Sequence, residues 1–261
     1  MDLGLDGHAA LVTASSSGLG NASATALARE GANVTICGRD EGRLADAANE
    51  LEDVAAGEVL ALQADLTDPD DVTHLVDETV DAFGGLDHVV TSAGGPPSTT
   101  FLDTSKRQWY EAYDQLVMSV VWTIENAHPH LLESDVASIV CITSRTVEEA
   151  MDGLLLSNSV RRGVTGLVQT ISREFAPAIR VNAVLPGLIE TPRIEELVEA
   201  GVERGDFESY EKGLAAMASG IPVDRVGKPH ELGEVVAFLS SERASYVNGV
   251  EVPIDGGSIR G

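Results

Sequence analysis

Short β-branched runs alternate with amphipathic stretches from one end of the chain to the other. The apolar runs are Ala9 to Thr13, Asn33 to Cys37, Val59 to Gln63, His88 to Thr91, Ser138 to Ile142, Arg180 to Val184 and Gly249 to Val252. Each has the length of a strand covered on both faces. After the first run, Leu19, Ala22, Ala26 and Leu27 recur at helical spacing, and Glu30-Gly31 is a stop signal for that helix. Further helical patterns cover residues 41–55, 69–83, 105–127, 158–175 and 230–240. Such alternation predicts an α/β, doubly wound (Rossmann) fold: a parallel seven-stranded sheet with helices on both faces. There are no internal repeats or low-complexity linkers, so residues 1–261 are expected to form a single domain. The Glu- and Gly-rich stretch 188–219, just after Pro186-Gly187, reads as a mobile lid or as a solvated acidic helical pair.

Charge narrows the partners. Asp and Glu number 42 against 17 Lys and Arg, a formal charge of -25, and the lysines are Lys106, Lys212 and Lys228. Nucleic acid and anionic membranes need clustered cations, so neither is an expected partner. The acids are spread through every segment rather than gathered in a tail, a pattern that fits a halophilic protein in a high-salt cytoplasm, where screening acts over about 3 Å at 1 M. No apolar run reaches the roughly 20 residues of a membrane span, and a soluble cytoplasmic protein is expected. Cys37 and Cys141 sit in apolar runs outside any ligand pattern and read as small buried hydrophobes; no metal site is expected.

Candidate chemistry begins where the first run ends. Thr13-Ala14-Ser15-Ser16-Ser17-Gly18-Leu19-Gly20 follows a strand and opens a helix, the setting in which a glycine-rich turn lets backbone N–H groups approach a pyrophosphate. Taken alone, an ordinary tight turn fits as well. The second run ends Cys37-Gly38-Arg39. A carboxylate there would accept hydrogen bonds from an adenosine ribose and repel a 2′-phosphate. Arg39 instead offers a cation, which favours NADP(H) over NAD(H), unless it is a surface residue paired with Asp40 or Glu41.

Four further segments lie at strand ends or close the chain: Asp65-Leu66, Ser92-Ala93-Gly94, the run Arg180 to Thr191, and Val247-Asn248-Gly249 with Asp255-Gly256-Gly257. Together with the turn they resemble the short-chain dehydrogenase/reductase family over residues 5–257, most closely its 3-oxoacyl-carrier-protein reductase-like branch. The resemblance implies nicotinamide dinucleotide binding through Thr13, Ser15, Ser17, Gly18, Leu19 and Gly20 and through Asp65, Leu66, Ala93 and Gly94. It extends that set to Pro186, Gly187, Ile189 and Thr191. The family's first turn glycine is Ala14 here, a methyl that is tolerated if the backbone angles are ordinary. It also implies a small-molecule carbonyl or alcohol substrate and a homodimer or homotetramer, formed through the apolar face of 117–124 and the edge Gly249 to Pro253.

The family's catalytic set is Asn, Ser, Tyr and Lys, and no tyrosine lies between Tyr113 and Tyr210. In register with the family, Ser144 keeps the serine, Leu116 replaces the asparagine, Ser157 the tyrosine and Arg161 the lysine. Ser157 and Arg161, four apart, share a helix face. Arg161 can hold ribose hydroxyls but cannot relay a proton. Ser157 either works through an ordered water or is a helix N-cap. Tyr113, Arg145 and Glu148 are the other donors to weigh. The expected activity is NADP(H)-linked carbonyl–alcohol interconversion with Ser144, Ser157 and Arg161 as the catalytic candidates. The rivals are a non-catalytic dinucleotide-binding sensor or assembly protein and halohydrin dehalogenation, the latter weakened by the retained Gly18 and Gly20.

Overall fold

The computed structural model describes residues 2–259; residues 1, 260 and 261, the ends of the expected 1–261 domain, lie outside the described residues. The described residues form seven strands: β1 (Ala9–Val12), β2 (Asn33–Gly38), β3 (Val59–Gln63), β4 (His88–Thr91), β5 (Ser138–Ile142), β6 (Arg180–Pro186) and β7 (Glu251–Ile254). They pair in parallel in the order β3-β2-β1-β4-β5-β6-β7. The order reverses between β1 and β4, and a crevice opens there at the carboxyl ends of the strands.

Strand periodicity divides the interior in two. Leu11, Cys37, Val89, Ile139, Cys141 and Val181 point to one face, while Ala10, Val12, Val34, Ile36, Val140 and Val184 point to the other. The first face is covered by α3 (Pro69–Phe83), α5 (Ser119–Leu131), α6 (Leu155–Val160) and α7 (Arg162–Glu174). The second is covered by α1 (Gly18–Arg29), α2 (Glu41–Glu52) and α10 (Pro229–Ser240).

Several boundaries depart from the sequence pattern, among them the helix expected over 41–55, which ends at Glu52. The stretch 105–127 is not one helix: α4 (Lys106–Tyr113) passes through a π turn at Asp114–Met118 into α5. The last strand begins at Glu251 rather than Gly249: Gly249 turns the chain at φ 73°, and the Asn248 side-chain Oδ1, not a strand carbonyl, accepts the Val181 N–H. Residues 158–175 start earlier and divide into α6 and α7. The acidic stretch holds α8 (Pro192–Glu203) and α9 (Tyr210–Met217), and the Tyr210 hydroxyl donates to Glu190 at 2.9 Å. Among the described residues no helix is long and apolar enough to cross a membrane. Val117, Val120 and Ile124 are buried inside the chain, so the face 117–124 is not the free apolar surface that its composition suggests.

Candidate functional site

Two adjoining cavities lie over the carboxyl edge of the sheet. The larger, about 870 Å³, runs from Arg39 past the start of α1 to Arg161 and Thr191. Ser17, Gly18, Leu19, Gly20, Asp65, Leu66, Ala93 and Gly94 all line it. Ser17 is the N-cap of α1 but makes no side-chain cap, and the first turn carries no acid. The N–H groups of that turn are therefore left for an anion. At Gly20 any side chain would collide with the Ala14 carbonyl oxygen, 2.4 Å from where a Cβ would stand.

Thr13 and Ser15 belong to a different layer from the one expected of them. The Thr13 hydroxyl donates to the Ser92 carbonyl and accepts from the Ser92 N–H, both at 2.8 Å. Ser15 donates to the Val12 carbonyl at 2.6 Å and accepts from the Cys37 N–H at 2.9 Å. Both side chains are buried; they brace the turn against β4 and β2 instead of facing the cleft. Ala14 does not have ordinary backbone angles: its φ is 46°, in the left-handed region. An L-residue there costs roughly 1–2 kcal/mol, part of which glycine gives back through its freer unfolded chain. Ala14→Gly is therefore expected to stabilise the protein by about 0.5–1 kcal/mol, read as an upward shift of about 1–4 °C in thermal melting.

At the other end of the larger cavity, Asp65 feels opposing influences. Burial works to raise its carboxyl, but hydrogen bonds from the Thr67 N–H and hydroxyl, with the Arg39 charge, outweigh it and hold the pKa below the usual range. Arg39 makes no ion pair among the described residues; it is Arg43 that reaches Asp40, at 3.7 Å. Burial pushes the Cys37 thiol up to about 12 and the Cys141 thiol up to about 11, so neither is a nucleophile at neutral pH.

The smaller cavity, about 320 Å³, is lined by Ser144, Ser157, Arg161, Pro186, Gly187, Ile189 and Thr191. Ser144 leaves β5 and accepts the Thr146 N–H at 3.2 Å. The Thr146 and Ser157 hydroxyls lie 3.0 Å apart. Ser157 is not an N-cap: Leu154 holds that position, and Ser157 sits buried within α6. Arg161 is also buried. Its guanidinium reaches the Ala93 carbonyl at 3.5 Å, and its Nε has no partner. Burial first, and then the neighbouring Arg193 charge, bring its pKa down to about 10, which leaves it cationic at neutral pH.

Ser144, Ser157 and Arg161 thus meet in one cavity, whereas Tyr113, Arg145 and Glu148 line neither. Leu116 is sealed in the core, 1% exposed. Sequence reasoning passed over Arg193, which lines both cavities and donates to the Ser98 hydroxyl at 3.3 Å. The stretch that carries it also holds Arg204 and Lys212 among its acids, so composition does not single Arg193 out. Gln115 was missed too; its amide holds the Gly94 carbonyl at 3.1 Å. Among the described residues no cluster of His, Cys, Asp or Glu has the makings of a metal site.

A nicotinamide dinucleotide fits these residues. The uncapped start of α1 suits a pyrophosphate, and the partnerless Arg161 Nε is a buried donor in want of an acceptor. Comparisons with known proteins agree. A family model described as enoyl-(acyl carrier protein) reductase matches residues 13–258. The 3-oxoacyl-acyl-carrier-protein reductase of Thermotoga maritima is 30% identical, over 98% of this chain and 99% of its own. The L-sorbose reductase of Gluconobacter frateurii, solved with NADPH and L-sorbose, superposes with a TM-score of 0.95 at 29% identity, covering all of both chains. A short-chain oxidoreductase of Pseudomonas aeruginosa PAO1, described as containing an atypical catalytic center and solved with NADPH, has a TM-score of 0.88 at 30% identity, over 97% of this chain and 96% of the other. A sequence match of this extent, on this sheet order, makes the chain a member of the short-chain dehydrogenase/reductase family.

Proposed function

We propose that this protein is an NADP(H)-linked oxidoreductase that interconverts a small carbonyl compound and its secondary alcohol, with a weakened proton-transfer apparatus. The observation that carries the reading is the buried, partly unpartnered guanidinium of Arg161 beside Ser144 and Ser157, where the two cavities join. When bound, the nicotinamide supplies or accepts the hydride. Ser144 donates a hydrogen bond to the carbonyl oxygen as charge grows there. Arg161 holds ribose hydroxyls and stabilises that charge, but it releases no proton near neutrality. The proton that the new alkoxide needs comes from water ordered by the Ser157 and Thr146 hydroxyls, since an alkyl hydroxyl is a far weaker acid than a phenol of pKa about 10. The acid excess supports work in a high-salt cytoplasm. The family's habit of assembling through this helix supports a dimer or tetramer, with half-buried Trp122 on α5 the residue there for a partner to cover.

A second reading, a dinucleotide-binding protein without catalysis, is favoured by one observation: Ser157 is already engaged with Thr146. Following NADPH absorbance with a panel of small ketones and oxo acids, and NADP⁺ with the matching alcohols, separates the two. Slow turnover that falls at least tenfold in Ser144→Ala is expected. NADPH binding without turnover on any panel member would leave the second reading standing.

A further inference from the structure

The smaller cavity is electropositive in an acidic protein. Both Arg161 and Arg193 line it, and no Asp or Glu does, although the chain carries 42 acidic residues. Neither arginine has a carboxylate partner among the described residues: Arg193 reaches only the Ser98 hydroxyl, and Arg161 reaches only the Ala93 carbonyl. Two guanidinium groups close enough for one to depress the other repel each other, and a bound anion would relieve that repulsion. The lining also holds hydroxyls, Ser144 and Ser157 among them, and an aliphatic part made by Leu154, Leu188, Ile194 and Leu197. At about 320 Å³ the space suits a small molecule with a short aliphatic chain.

We infer that the substrate carries a carboxylate, held by Arg193 across the mouth of the cavity from Ser144, and that the substrate class is a small aliphatic oxo acid or its hydroxy acid. This rests on the oxidoreductase reading for the placement of the reacting carbonyl at Ser144. The anion site itself rests on the two arginines. Arg193 is the specificity-determining residue: the first turn of α8 carries it to the cleft two residues after Thr191, and its bond to Ser98 spans from α8 to the loop after β4. A fork of N–H donors suits a planar carboxylate, whereas a sugar or a neutral ketone leaves both charges unmatched.

The test uses the full-length protein saturated with NADPH and two unreactive probes, 4-methylpentanoate and 4-methylpentanamide, titrated by calorimetry in the same salt. The acid is expected to bind at least tenfold more tightly than the amide. In Arg193→Gln the two should bind within twofold of each other, with NADPH titrated separately and held at saturation for that variant. Equal binding of acid and amide by the native protein would overturn the inference, as would failure of both probes to bind or a preference that survives in Arg193→Gln. Weaker NADPH binding in Arg193→Gln with the acid preference intact would assign the arginine to the cofactor's phosphates instead. Absence of turnover with oxo acids while the acid preference holds would count against the oxidoreductase reading and leave the anion site in place.

Discussion

Restoring a phenol and an amine to the cleft should raise carbonyl turnover about 10²–10⁴-fold, the usual worth of general acid–base catalysis. The double variant Ser157→Tyr with Arg161→Lys is the one to make. Ser157 lines the smaller cavity from α6, and a tyrosine side chain there extends toward Ser144 into open space. A lysine four residues on shares its helix face and lowers the phenol's pKa, which an arginine also does, but the compact ammonium leaves more room for the ribose. The family's asparagine is deliberately left out. Leu116 is 1% exposed within a π turn, packed among the apolar side chains of α5 and α7, and an amide there would be buried without partners at a cost of about 1–3 kcal/mol. A rescued enzyme should show a rate that depends on an ionisation below 10, absent from the native profile. If kcat does not rise although NADPH affinity and melting temperature are kept, the proton route is not what limits this protein.

Much of the scaffold is legible in the chain because strand-length apolar runs and helical apolar spacing are local properties. The expected bounds of β3, β4 and β5 are those observed, and α3 spans Pro69–Phe83 as its pattern predicts. The errors arise where one residue's geometry overrides its surroundings. A π turn inserts one residue into the helical ladder at Asp114–Met118 without disturbing the apolar spacing on either side, so residues 105–127 read as a continuous helix. Gly249 turns the chain at positive φ within an apolar run, and β7 starts two residues later than that run. At Ala14 the same conformation is adopted by a residue that rarely takes it, and nothing in the letter A announces it.

The site divides in the same way. Strand ends and glycines mark the crevice, because backbone approach to a ligand leaves a compositional trace at Gly18 and Gly20. Side-chain direction leaves none. Thr13 and Ser15 occupy the expected turn yet face inward, and Ser157 has the composition of a cap yet lies within a helix whose N-cap is Leu154. Arg193 belongs to the site only because α8 folds back over the cleft, a tertiary event invisible in a stretch whose composition is that of a solvated acidic surface.

Arg39→Asp should reverse the cofactor preference, turning a protein expected to bind NADPH roughly ten- to a hundredfold more tightly than NADH into one that favours NADH. Position 38 cannot carry a discriminating carboxylate in this backbone: a Cβ there would stand 2.7 Å from the Ser16 hydroxyl oxygen. The choice therefore passes to the next residue. Arg39 lines the larger cavity, and its neighbour Arg43 lines it as well although it is tethered to Asp40. A 2′-phosphate entering here meets two cations and the Ser16 hydroxyl, which lines the same wall. One charge-assisted hydrogen bond contributes about 1.5–3 kcal/mol, and 1.4 kcal/mol is a factor of ten, which sets the expected preference of the native protein. The aspartate removes that bond, repels the phosphate and accepts from the ribose hydroxyls of NADH, so the gain of one cofactor accompanies the loss of the other. Fluorescence titrations of both cofactors against both proteins at one fixed salt concentration measure the ratio, with salt held constant because screening weakens every exposed charge contact. Equal binding of the two cofactors by the native protein, or a ratio that Arg39→Asp leaves unchanged, would show that the preference is set elsewhere, with Arg43 the next residue to replace.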